Sequence, residues 1–254
     1  MRLTALPAFD DNYIWTLEDD TQRALIVDPG QAAPVLKAAS AGMQPAAILL
    51  THHHGDHIGG VAELLETWPQ LPVYAPEDER ITLDCERVSG GQQVNLAGFS
   101  LDVLAVPGHT TSHVAFFGHG HLFCGDALFS LGCGRMFEGT AAQMLASLKR
   151  LATLPAQTLL CCGHEYTVAN AVFARHVDPT NAALQRRQQE AMDMRSRHLP
   201  TLPTTLGAEL QCNPFLRTQA PAVIAAAQTW AGRALAEEVD VFAALRQWKD
   251  GFRA

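Results

Sequence analysis

Short apolar runs that stop at a turn and a polar residue recur along this chain, and they outline an architecture before any single residue is weighed. Residues 2–29 read as short strands separated by turns, ending in Ala24-Leu25-Ile26-Val27-Asp28-Pro29-Gly30. Ala32 to Met43 carries apolar residues at helical spacing, and Ala46 to Leu50 is a continuous apolar run of the kind a buried strand shows. Ile58 to Leu65 is again helix-like. Residues 92–125 predict consecutive β segments, Thr140 to Leu151 a helix, and Gln157 to Cys162 a last core strand. Beyond His164 the pattern changes. Ala169 to His176 and Asn181 to Arg197 predict helices, the second polar and charged, and Leu199 to Pro203 is a Pro-rich connector. Pro221 to Arg246 predicts one Ala-rich helix. Strands mixed with helices, followed by an all-helical tail, predict an α/β protein with a domain over 1–170 and a helical domain over 171–254.

The strand ends hold the chemistry. Directly after the run Ala46 to Leu50 comes Thr51-His52-His53-His54-Gly55-Asp56-His57. In an extended segment residues two apart face the same way, so His52 and His54 share a side. Past Gly55, Asp56 and His57 face a neighbouring point. Imidazole nitrogens and carboxylate oxygens are what a zinc-like cation takes when no thiolate is offered. The arrangement repeats downstream: His109 follows the apolar stretch Leu101 to Val106, Asp126 ends Leu122 to Asp126, and His164 ends Leu159 to His164. Singly each is an ordinary loop residue. Together with the first cluster they read as ligands on loops held by a rigid sheet.

Composition narrows the class. The 254 residues are 48% hydrophobic, enough for a sizeable core, and the formal net charge of −8 argues against a general nucleic-acid binder. The six cysteines (Cys85, Cys124, Cys133, Cys161, Cys162, Cys212) show no Cys-x-x-Cys spacing and read as small buried hydrophobes. Adjacent Cys161 and Cys162 read as strand residues rather than a strained vicinal disulfide. No apolar stretch approaches membrane-spanning length and the opening residues lack a signal-peptide core, so a cytoplasmic protein without membrane or nucleic-acid partners is expected.

The full set of His52, His54, Asp56, His57, His109, Asp126 and His164 resembles the metallo-β-lactamase superfamily over the first two-thirds of the chain. That resemblance implies an αββα sandwich with the metals at one edge. It assigns His52, His54 and His109 to one metal site, Asp56, His57 and His164 to a second, and Asp126 to the bridging position. It gives His53, His113, His119 and His121 no role. His119 and His121 flank Gly120 in what reads as a solvated hairpin turn.

Narrower segments are similar to the glyoxalase II (hydroxyacylglutathione hydrolase) family: Pro7 to Trp15, Gly132 to Gly139, Cys162 to Thr167, Asn213 to Arg217 and Leu245 to Phe252. This family hydrolyses S-D-lactoylglutathione to glutathione and D-lactate. It implies two divalent metal ions and a glutathione thioester as partner; His and Asp donors without Cys suit zinc, with iron or manganese as alternatives, and nothing in the sequence demands more than a monomer. Its matching substrate positions are Arg135, Phe137, Tyr166, Arg246 and Lys249, in a substrate-binding C-terminal domain. Some members have Lys and Tyr where this chain has Arg135 and Phe137, so Phe137 donates no hydroxyl hydrogen bond. Read without the resemblance, Arg246 and Lys249 form a basic pair at a helix C-terminus, where dipole compensation is the commoner role.

The expected chemistry follows. Two metals about 3.5–4 Å apart lower the pKa of a shared water to near 7, which supplies the nucleophile at the bridge, with Asp126 and Asp56 as the metal-holding carboxylates. A thiolate leaves readily, so no strong general acid is needed. No Gly-x-Ser-x-Gly elbow suggests a covalent alternative. Asp28 reads either as a turn aspartate or as an outer partner orienting a ligand imidazole. Persulfide dioxygenase, β-lactamase, lactonase and ribonuclease activities of the same superfamily are the rivals, and a metal-storage module is the rival outside enzymes.

Overall fold

The computed structural model describes residues 1–253 and divides them into two compact units. The first comprises Met1–Ala105, Ser112–Gly125 and Cys161–His164; the second comprises Val106–Thr111, Asp126–Leu160 and the chain from Glu165 on.

The first unit begins with a hairpin of β1 (Arg2–Ala8) and β2 (Asn12–Glu18), paired from Arg2↔Glu18 to Ala8↔Asn12. All of β2 is buried, so it lies between covered faces and shows no polar alternation. β3 (Arg23–Val27) pairs antiparallel with β2 and parallel with β4 (Gln44–Leu49). Parallel neighbours need a crossover, supplied here by α1 (Ala32–Ser40). After β4 come α2 (Gly55–Ile58) and α3 (Val61–Thr67), then β5 (Val73–Pro76) and β6 (Glu86–Val88). The sheet runs β1-β2-β3-β4-β5-β6, and Val35, Leu64, Ile26 and Ile48 meet in its core.

A second, antiparallel sheet follows as a meander of β7 (Gln93–Leu96), β8 (Phe99–Ala105), β9 (Val114–Gly118) and β10 (His121–Gly125). Phe99, Leu101 and Val103 point inward while Ser100 and Asp102 are exposed, the alternation of a sheet with one wet face. His119, at φ +50°, is exposed as expected, but its Nε2 accepts the Ser100 N–H (3.1 Å). His121 is half-buried, not solvated, and stacks on Phe123. Cys161 and Cys162 extend this sheet beside β10 as part of β13 (Leu159–Cys162).

In the second unit, β11 (Leu128–Phe129) and β12 (Gly132–Cys133) form a small ribbon. The fully buried Glu209 closes its turn, accepting the Ser130 hydroxyl and the Leu131 N–H at 2.7 Å each. Asn213 donates to the carbonyls of Phe129 and Gly132, both at 3.0 Å. The helix α4 (Ala141–Ala152) starts at a Thr140/Gln143 capping box. Further on come α5 (Thr167–Val177), α6 (Ala182–Ser196), β14 (Thr204–Thr205) beside Leu159 and Leu160, and α7 (Leu206–Cys212). The single helix expected over 221–246 is two, α8 (Pro221–Ala231) and α9 (Glu238–Gly251). Gly232 adopts φ +65°, which ends α8, and a capping box of Glu237 and Asp240 starts α9.

No cysteine of the described residues is in a disulfide; five are buried and Cys85 is half-buried. Burial pushes the Cys133 thiol up to about 11. No described helix is long and apolar enough to cross a membrane.

Candidate metal centre

In the first unit the scaffold is Asp28, which follows β3 in the left-handed region at φ +52°. Its carboxylate accepts the Thr51 N–H (2.8 Å), the Thr51 hydroxyl (2.7 Å) and His57 Nδ1–H (3.0 Å). The Thr51 hydrogen is thereby committed to Asp28, and its oxygen is left to accept from His52 Nδ1 at 3.0 Å. That contact puts the His52 lone pair on Nε2, which lies 3.0 Å from His54 Nδ1. One buried carboxylate therefore sets the orientation of two imidazoles.

The same logic fixes a second group. With Nδ1–H bound to Asp28, His57 presents its Nε2 lone pair 3.5 Å from Asp56 Oδ2. His164, at the end of β13, gives Nδ1–H to Asp11 (2.8 Å) and turns Nε2 to 3.4 Å from the same Asp56 oxygen. One ligand atom from each of Asp56, His57 and His164 lies within 4.8 Å of the others. Two lone pairs and a carboxylate oxygen repel unless a proton or cation lies among them, so this donor set fits a divalent metal. His53 has a different partner: its Nδ1 is 3.4 Å from Asp78.

In the second unit His109 donates Nδ1–H to the Arg135 carbonyl (2.7 Å) and sets Nε2 3.5 Å from Asp126 Oδ2. This is again an imidazole oriented from behind towards a carboxylate. Phe137 is 62% exposed, its ring edge-on to His109 and beneath the Arg135 guanidinium. Tyr166 packs edge-on against Phe129. Arg246 is only 5% exposed; it donates to the Cys133 carbonyl (2.9 Å) and to Asp250 Oδ1 (2.9 Å). Arg135 Nε reaches the same Asp250 oxygen at 3.3 Å. Lys249 lies over the Phe173 ring, and burial, then the Arg246 charge, lower its pKa to about 8. Arg135 and Arg246 are therefore joined through Asp250.

Three residues escaped the sequence reading. Asp11 and Asn12 back the Asp56–His57–His164 group, Asn12 donating to Asp56 Oδ2 at 2.9 Å. Asp250 ties the cations together. All three lie inside segments singled out for their resemblance, but nothing in the linear pattern pairs Asp11 with a residue 153 positions away.

The mixed sheet, the antiparallel sheet and the His/Asp donors after their strands define a metallo-β-lactamase-type metalloprotein, and the profile of the metallo-beta-lactamase superfamily matches residues 9–164. A second profile, described as hydroxyacylglutathione hydrolase C-terminus, matches residues 165–252. A hydroxyacylglutathione hydrolase from Xanthomonas axonopodis pv. citri (strain 306) is 64% identical over 255 residues, covering 100% of both chains. The chain belongs to the hydroxyacylglutathione hydrolase family. Among solved structures, the BLEG-1 B3 metallo-β-lactamase is similar with a TM-score of 0.66 at 25% identity, covering 85% of this chain and 100% of that one. TTHA1623 in a di-iron-bound form is similar with a TM-score of 0.60 at 28% identity and the same coverage. The αββα fold with a helical C-terminal region, expected from the sequence, is borne out.

Proposed function

We infer that this chain is a metal-dependent thioester hydrolase that converts S-D-lactoylglutathione and water to glutathione and D-lactate, the activity class named for its full-length relatives. The observation that carries the reading is the convergence of His57 Nε2 and His164 Nε2 on Asp56 Oδ2, each imidazole held from behind by a carboxylate. His52, His54 and His109 are proposed to hold one cation, and Asp56, His57 and His164 the other. Asp126 is the proposed bridge. When bound, two divalent cations supply a water activated near neutral pH and a Lewis acid for the carbonyl.

The protein's own part is to hold and orient. Asp28, Asp11 and the Arg135 carbonyl keep the ligand imidazoles in one tautomer and one plane. Arg135, Phe137, Tyr166, Arg246 and Lys249 are proposed to bind the peptide portion, with 171–254 as a substrate-binding domain. Fixed cations suit a substrate portion carrying two carboxylates. The departing thiolate needs no strong acid. Nitrogen and oxygen donors without thiolate suit zinc, with iron or manganese as alternatives. Reduced cysteines fit a cytoplasmic setting, and a monomer suffices because one chain supplies every proposed ligand.

The test is an assay of zinc-loaded protein on S-D-lactoylglutathione beside a lactone and a β-lactam. Loss of thioester absorbance with matching release of free thiol is expected. Turnover of the lactone or β-lactam with none of the thioester overturns the reading.

A further inference from the structure

We propose that Asp11 is a positioning residue for the cation held by Asp56, His57 and His164, and that it sets how tightly that one site keeps its metal. The proposal rests on the metal reading above and is independent of the choice of substrate.

Asp11 lies in the turn between β1 and β2 and accepts His164 Nδ1–H at 2.8 Å. A carboxylate behind a ligating imidazole fixes the ring, selects the tautomer and raises the basicity of the far nitrogen. The next residue completes the grip: buried Asn12 donates to Asp56 Oδ2, so two consecutive side chains hold a ligand imidazole and the ligand carboxylate of one trio. The turn is anchored on both sides. The Phe9 N–H donates to Gln31 Oε1 (2.8 Å), and the Tyr13 N–H donates to the Gly163 carbonyl (2.8 Å), next to His164 itself. Phe9 takes a left-handed φ of +48°, a conformation that costs energy for an aromatic residue and persists only where its surroundings enforce it.

Asp11 differs from the other outer partners in one respect. His57 is backed by buried Asp28, and His52 by fully buried Thr51. The Asp11 side chain is 42% exposed. Its carboxylate can be removed without opening a cavity, and the change falls on His164 alone. Loss of such an outer partner lowers metal affinity about 10- to 100-fold.

Asp11→Ala and Asp11→Asn, loaded with zinc, are titrated with a chromophoric chelator alongside the unmodified chain. In Asp11→Ala one equivalent of zinc should leave at a chelator concentration about 10- to 100-fold lower, while the other leaves where it did before. Asp11→Asn, whose amide oxygen still accepts from Nδ1–H, should show a smaller step. The thermal midpoint of the metal-free protein should not move. Unchanged release of both equivalents, or equal weakening of both, overturns the proposal. An unmodified chain that holds fewer than two equivalents overturns instead the metal reading on which it rests.

Discussion

His57 Nδ1 lies 3.0 Å from Asp28 Oδ2, and that same oxygen accepts the Thr51 hydroxyl at 2.7 Å. Asp28 thus backs His57 directly and His52 through Thr51. Asn at this position keeps the backbone conformation, since Asn tolerates a left-handed φ, but removes the charge. Asp28→Asn is expected to weaken retention of both metals about 10- to 100-fold. Zinc content after dialysis against graded chelator measures this; loss of a single equivalent contradicts the shared role.

Gly134 is fixed by close approach. A Cβ there would lie 1.9 Å from the Asp126 carbonyl oxygen and 3.2 Å from His109 Nδ1. The nearest obstacle is backbone, so it cannot rotate away. Gly134→Ala should displace Asp126, His109 or both, and a misplacement near 1 Å costs on the order of a hundredfold in rate. Metal analysis together with steady-state kinetics checks it. Full zinc content with kcat unchanged would show that the loop yields without moving either residue.

Lys249 makes a pH prediction. Desolvation, then the Arg246 charge, bring its pKa down to about 8, so the ammonium is present below that pH and lost above it. A cation that binds a non-reacting carboxylate acts equally in ground and transition states and shows in KM. KM for the glutathione thioester should therefore rise from about pH 7 to about pH 9, with kcat flat. Lys249→Arg, which stays protonated throughout, should abolish the rise. A flat KM in the unmodified enzyme would remove Lys249 from the substrate contact. Because the folded pKa lies below the unfolded one, the stability cost of this buried charge is full below about 8 and fades as pH climbs towards 10.5.

Glu209 is buried, and desolvation raises its pKa against the hydrogen bonds from Leu131 and Ser130 and the charge of Arg187. Replacing it with Ala strands the Leu131 N–H and the Ser130 hydroxyl, while Arg187 keeps its ion pair with Glu190 at 2.9 Å. The expected cost is about 2–6 kcal/mol, from about 1–3 kcal/mol for each of the two stranded buried donors. Glu209→Gln, which retains one acceptor, should cost less. Denaturant unfolding of the two variants decides this, and a loss below about 1 kcal/mol for Glu209→Ala would show that the turn at Leu131 holds itself.

The proposed metal ligands stand out in the sequence because each follows an apolar strand within a few residues: β4 before His52, β10 before Asp126, β13 before His164. Local patterns of that kind survive in a single sequence. The fold class was legible for the same reason, and most helices fall within a few residues of their expected ends. The break between α8 and α9 was hidden because Ala-rich sequence continues to read as helix on both sides of one left-handed glycine. Asp11 and Asn12 were hidden because their partners are chosen by tertiary structure, as was the tie from Asp250 to Arg135, whereas Asp250 and Arg246 are an (i,i+4) pair on one helix. Arg246 was legible as a cation near the C-terminus, but its near-complete burial between the Cys133 carbonyl and Asp250 was not.

The sequestered cysteines bear on how the enzyme meets its own product. Every turnover releases a thiol tripeptide, whose oxidised form exchanges with any protein thiolate it can reach. Burial raises the pKa of Cys133 to about 11 and also raises those of Cys85, Cys161 and Cys212. Such thiols offer almost no attacking thiolate at neutral pH. These four thiols are therefore poor targets for mixed-disulfide exchange with the very tripeptide that the enzyme sets free.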